Sequence, residues 1–358
     1  MAEIDVYLKF LAQQRGSDIH ISASAKPQVR LLGNMTPLSV QPLTPADTAR
    51  LLTEIMPERN KKEFEQRNDT DFAYELAGAG RFRVNIFKDR FGMGGVFRLI
   101  PTNIMTADEL GLPEAVRKFC QLPKGLILVT GPTGSGKSTT LATMVDLVNQ
   151  TRRDHIITIE DPIEFVHENK RCLINQREVF EHTTGFRAAL RAALREDPDV
   201  VLVGEMRDLE TTHIAIETAE TGHLVFGTLH TTTAASTVDR LIDQFPHEQQ
   251  EQIRTMLSVS LKGIISQVLL RRKDNSGRVA ALEVLVVTPA IANLIREAKT
   301  HQLPSVIQTG AKYGMIMMND AILRLVMDDL VDPKEAMAKA LEKEDLASKF
   351  KVAGITLA

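Results

Sequence analysis

Residues 131–138 read GPTGSGKS and match G-x-x-x-x-G-K-[ST]. The apolar run GLILVT comes just before them, and STTLATMVDLVNQ follows from Ser138. The pattern calls for a strand, a glycine-rich loop and a helix, in that order. Gly131, Gly134 and Gly136 let the backbone curl so that its N–H groups point inward at phosphate oxygens, with Thr133, Ser135 and Thr139 completing the lining. A helix starting at Lys137 adds its positive N-terminal end. Lys137 is placed to reach the β- and γ-phosphates, and Ser138 to ligate Mg²⁺. A bound triphosphate is expected, and a small-molecule kinase, a GTPase, a helicase or a motor would each use one.

Phosphoryl transfer to water needs two further groups, one to hold the metal and one to orient or deprotonate the nucleophile. Open α/β sheets place such groups just past the C-terminal ends of parallel strands. IITIEDPIEF ends a strand-like run with Glu160, Asp161 and Glu164. VVLVGEMRD ends another with Glu205 and Asp208. Gly204 lets that strand end approach the phosphates, so Glu205 is expected to reach the metal through its water. Taken alone, His223 and His230 read equally well as structural histidines, and GRFRVNIF as a strand with alternating arginines.

The elements that must position these groups fall into two regions. Residues 1–100 read as a small mixed α/β domain. A helix over 4–14 is followed by the strand SDIHIS and a hairpin turning at Gly33-Asn34. One helix then runs through TPADTARLLTEIMPERNKKEFEQ, with Thr44 as N-cap before Pro45, and three strand-like runs end near Ile100. Residues 101–113 carry Pro101 and Pro113 and read as a linker. From there to residue 358 the runs GLILVTG, HIITIED, DVVLVGE and HLVFGTL alternate with helices, as suits a parallel sheet covered on both faces. The chain after residue 288 reads as mostly helical, with LEKEDLASKFK as a solvated helix face.

Composition narrows the class. Of the 358 residues 43% are hydrophobic and 25% charged, an ordinary soluble mix that suits two domains. The net charge of −3, the lack of Trp and only three Tyr argue against a nucleic-acid partner, which would want a basic groove and stacking aromatics. Arg271, Arg272 and Lys273 read as a solvated loop. Cys120 and Cys172 are too few for a disulfide framework or a four-cysteine zinc site, and read as buried thiols in a reducing compartment. No stretch is apolar enough for a signal peptide or membrane span, so a cytoplasmic protein without direct membrane insertion is expected.

GPTGSGKSTT, IEDPIEF, VLVGEMRDLET and AETGHLVFGTLHTTTAASTVDRLIDQFP resemble the Walker A, Asp box, Walker B and His box of the secretion-superfamily ATPases, hexameric motors of type IV pili and type II secretion. The likeness is nearest to the PilT-type pilus-retraction ATPases and covers nearly the whole chain, from GSDIHIS to AIANLIREAK. It implies a PAS-like N-terminal domain and a RecA-like P-loop ATPase domain that uses ATP and Mg²⁺. It also implies roles: Glu205 at the metal, Glu164 as catalytic base, and His230 and His223 near the γ-phosphate and the subunit interface. Arg81, Arg83 and Arg98 lie where the family offers arginines to the phosphates.

The implied machine is a homo-hexamer at the cytoplasmic face of the inner membrane. Its two domains would move as rigid bodies about the linker, and the ring would drive a membrane platform protein that removes pilin subunits. A paralogous retraction ATPase is a further candidate partner. Assembly and type II secretion ATPases usually carry an extra N-terminal domain and a four-cysteine zinc element, so the short form favours retraction. Ala292 replaces the first arginine of the family's AIRNLIRE segment, which bears on partner coupling rather than hydrolysis. A nucleic-acid motor, a small-molecule kinase and a nucleotide-gated scaffold are the alternatives from other classes.

Overall fold

A computed structural model describes residues 2–14, 16–31, 34–100 and 103–356. The chain divides into two compact units, residues up to 103 with 164–166, and the remainder from 104 onward.

The first unit is built on a six-stranded antiparallel sheet in the order β3-β2-β1-β6-β5-β4. Its elements run α1 (Asp5–Gln13), β1 (Asp18–Ser22), β2 (Gln28–Leu31), β3 (Asn34–Pro37), α2 (Pro45–Ile55), α3 (Glu58–Arg67), β4 (Asp69–Leu76), β5 (Gly80–Asp89) and β6 (Gly92–Ile100). Leu8 and Leu11 of α1, and Leu51 and Leu52 of α2, pack with Phe82, Val84, Ile86 and Phe97 of the sheet. Burial of such side chains contributes about 1.5–3 kcal/mol each. Thr44 starts α2 as expected, accepting the Asp47 N–H while Asp47 answers in a capping box, with Pro45 at the first position. The single helix expected beyond it is two helices. Pro57 forces Met56 out of helical geometry, to φ −76° and ψ 124°, and α3 starts afresh after it. The turn residue Gly33 lies outside the described residues.

The second unit carries a seven-stranded sheet in the order β13-β12-β7-β11-β10-β8-β9, parallel except for β13. It begins with α4 (Glu114–Phe119), β7 (Gly125–Thr130), α5 (Lys137–Thr151), β8 (His155–Glu160), β9 (Leu173–Glu178), α6 (Phe186–Ala193) and β10 (Val200–Val203). It continues with α7 (Leu209–Thr221), β11 (Leu224–Leu229), α8 (Ala234–Asp243), α9 (His247–Ser260), β12 (Leu261–Arg271) and β13 (Arg278–Val286). Helices α10 (Pro289–Arg296), α11 (Leu303–Thr309), α12 (Met318–Met327), α13 (Pro333–Lys339) and α14 (Lys343–Val352) complete it.

Every residue of β7, β10 and β11 is buried, and separate apolar clusters cover the two sheet faces. Three strands exceed the expected four. β9, at the sheet edge, is apolar only at Leu173 and Ile174, and β12 and β13 form a long hairpin. The sequence carries no boundary signal for the hairpin, because α9 passes into β12 between Ser260 and Leu261 with no turn residue. Both cysteines are buried, and burial pushes the Cys120 thiol up to about 12. In LEKEDLASKFK, Leu346 and Phe350 pack into the core and the charges face outward.

Candidate active site

The loop between β7 and α5 is shaped by the strand beside it. Gly131 has φ 143° and Gly136 φ 89°, both in the region that favours glycine. A Cβ on Gly131 would fall on the carbonyl oxygen of Gln267, and one on Gly136 would lie 2.7 Å from the Gln267 side-chain nitrogen. Thr133 and Gly134 form the exposed tip, and Ser138 and Thr139 sit half-buried in the first turn of α5. The Lys137 ammonium donates to the carbonyls of Gly131 (2.9 Å) and Pro132 (3.3 Å), so it lies along the loop. Helix α5 has no side-chain N-cap and no acid in its first turn. A lysine at a bare helix start is the reverse of what a solvated helix wants, and suits an anionic ligand. Ser135 Oγ is buried without a hydrogen-bond partner among the described residues, a second polar group awaiting a ligand.

Register brings the other groups level with this loop. Thr130 pairs with Leu229, Gly227 with Val203, and Val203 with Ile159. Gly131, His230, Glu205 and Asp161 therefore leave four neighbouring strands at one edge of the sheet. At about 4.8 Å per strand the four exits span about 14 Å. Gly204 brings the turn out of β10 close to β8, where a Cβ would lie 3.1 Å from the Ile159 carbonyl. The carbonyl of Gly204 accepts from the Thr228 hydroxyl on β11, which fixes the turn.

Glu205 is 19% exposed and is gripped from two sides. His230 Nε2 lies 2.8 Å from Oε1, and Arg207 Nε pairs with the same oxygen. Burial works to raise the carboxyl, but the Arg207 hydrogen bond and charge, helped by His230, outweigh it and hold Glu205 below the ordinary glutamate range. Glu205 is thus an ionised carboxylate with a histidine in contact. No three His, Cys, Asp or Glu side chains converge to hold a metal among the described residues. One hydroxyl, Ser138, and one carboxylate, Glu205, fit a magnesium ion held mainly by phosphate oxygens.

Other expected residues lie elsewhere. His223 precedes β11, at the end opposite His230, and its Nδ1 meets the Thr218 carbonyl at 3.0 Å. Six strand residues intervene, so about 20 Å of strand lies between the two histidines. The structure thus removes His223 from the phosphate loop's surroundings. Asp208 caps α7, accepting from the Thr211 N–H at 2.8 Å and its hydroxyl at 2.7 Å. Glu160 is held by the Thr158 hydroxyl at 2.7 Å and Gln176 at 3.2 Å. Glu164 is exposed, in the short segment that groups with the first unit.

In the first unit, Arg83 and Arg98 stand directly opposite each other on β5 and β6, and Asp18 of β1 pairs with Arg98 on the other side. Arg98 Nε reaches Asp18 at 2.8 Å and Arg30 Nε reaches the same carboxylate at 3.8 Å, while Arg81 meets Glu75 at 3.5 Å. Like charges opposite one another on a sheet are destabilising, so the row is suited to an anion. Sequence reasoning missed Gln267 altogether. It sits on β12, more than 130 positions from the loop it touches, with no motif around it.

The Type II/IV secretion system protein family matches residues 2–337. The type IV pilus retraction ATPase PilT of Pseudomonas aeruginosa is 52% identical over 338 residues, 94% of this chain and 98% of that protein. A twitching motility protein of Neisseria gonorrhoeae is 48% identical over 325 residues, 91% of this chain and 87% of its own. A crystal structure of the pilus retraction motor PilT with bound ADP superposes with a TM-score of 0.90 at 47% identity, covering 97% of this chain and 99% of that one. The architecture is that of a small mixed α/β domain joined to a RecA-like ATPase domain. The chain belongs to the type II/IV secretion system protein family, and within it to the PilT-type ATPases.

Proposed function

We propose that this ATPase is the motor subunit for retraction of type IV pili, and so for twitching motility. The carrying observation is that the phosphate loop, Glu205 and His230 leave adjacent strands at one edge of the second unit's sheet. The relation to PilT over nearly the whole chain supports the choice of machine. ATP sits with its β- and γ-phosphates on the N–H groups of residues 131–139 and on Lys137. Ser138 and Glu205 would hold magnesium, which would neutralise phosphate charge. Glu205 is kept ionised by Arg207, and His230 holds the carboxylate in position. Glu164 takes the proton of the attacking water. Arg81, Arg83 and Arg98 offset charge on the transferring phosphoryl group. Six chains form a ring at the inner membrane and act on the pilus platform protein, alone or with a paralogous ATPase. No helix among the described residues is long and apolar enough to cross a membrane.

The test is a count of surface pili on cells whose only copy carries Glu205→Ala. Cells crowded with pili that do not retract are expected. Bald cells would make this an assembly motor, and unchanged piliation would assign it to another machine.

A further inference from the structure

We infer that Gln267 is a positioning residue for the nucleotide, holding the phosphate loop and the first turn of α5 in one geometry from the adjacent strand. The inference rests on reading residues 131–139 as the nucleotide cradle. Gln267 is 2% exposed, and both ends of its side-chain amide are used. Its Nε2 donates to the Ser135 carbonyl at 2.7 Å. Its Oε1 accepts from the Thr140 hydroxyl at 2.7 Å. Of the uncharged side chains of this length, only an amide offers donor and acceptor together.

The first bond has a direct consequence for phosphate binding. A trans peptide is planar, with its C=O and N–H on opposite sides. Holding the Ser135 carbonyl toward Gln267 therefore turns the Gly136 N–H away from β12. The second bond fixes α5 at Thr140, one residue beyond the N–H groups of Lys137, Ser138 and Thr139 that open the helix. The same strand position excludes a Cβ from both Gly131 and Gly136, so one residue sets the loop at its start and at its end. Releasing the loop would leave the Gln267 amide buried and unsatisfied, which makes this arrangement stiff.

The neighbouring Ser266 works on the opposite side of β12. Its hydroxyl accepts from Thr130 at 3.0 Å, Thr237 lies 3.5 Å beyond Thr130, and Thr231, next to His230, is 2.7 Å from Thr237. Two consecutive residues of β12 thus brace the phosphate loop and the segment that carries His230.

The experiment measures fluorescent-ADP affinity, ATP kcat and KM, and melting temperature for Gln267→Met, Thr140→Val and the double variant, with Lys137→Ala as control. Gln267→Met keeps the volume and loses both bonds. Its ADP affinity is expected to fall at least about tenfold, the loss expected for two buried hydrogen bonds. KM for ATP rises in step, and kcat falls less. Thr140→Val loses one bond and is expected to weaken ADP about threefold. The double variant matches Gln267→Met, because both act through one amide. A Gln267→Met protein with ADP affinity within about twofold of wild type, or with only a lower melting temperature, overturns the inference. If Gln267→Met does not fold, unchanged affinity in Thr140→Val overturns it alone. If Lys137→Ala also binds ADP like wild type, the reading of the cradle itself falls.

Discussion

His223 and His230 bracket the same strand, β11, yet their surroundings differ in kind. His230 follows the strand and contacts a half-buried, ionised carboxylate. His223 precedes it and meets the backbone carbonyl of Thr218 near the end of α7. In a parallel sheet all C-terminal strand ends face one way, so catalytic side chains collect at one edge while the other edge joins helices to strands. A histidine's distance in sequence from a motif says little, whereas the strand end it occupies says much.

Five substitutions sharpen or break that contrast. Glu205→Ala removes the ionised carboxylate beside the phosphate loop's strand end, and kcat for ATP is expected to fall about 10³-fold in a steady-state assay. Gly131→Ala drives a Cβ onto the Gln267 carbonyl at a φ only glycine favours, and nucleotide affinity is expected to fall about 10²-fold by titration. His230→Ala leaves Glu205 with Arg207 alone, and a loss of about tenfold in kcat is expected.

Arg207→Ala tests the charge balance. Glu205 lies below the ordinary glutamate range, so it stays ionised to lower pH than a free glutamate. The stability it contributes is present above the unfolded value and is lost as pH falls through the folded one. Removing Arg207 raises the Glu205 pKa, so the acid limb of the turnover profile moves to higher pH. An unmoved limb would show that Glu205 ionisation does not govern turnover. Smallest of all, His223→Ala is expected to change turnover by less than about twofold, because its bond is to a backbone carbonyl on the far edge.

Much of this was legible in the sequence because it was local. The loop motif, the Thr44 cap with Pro45, and the four buried strands β7, β8, β10 and β11 each rest on neighbouring residues. What escaped depends on distance in sequence. Pro57 was visible, but helix-forming residues on both sides masked the break it makes at Met56. β12 emerges from α9 without punctuation, and an apolar run does not by itself distinguish strand from buried helix. Gln267 contacts the loop only because β12 lies next to β7 in the sheet order. His223 lies in the His box, and only the direction of β11 separates it from His230.

The most direct test of the one-edge claim is a side-by-side ATP turnover measurement on purified wild type, Glu205→Ala and His223→Ala. The expected result is a near-total loss for Glu205→Ala with His223→Ala close to wild type. Equal losses in both variants, or full activity in Glu205→Ala, would contradict it.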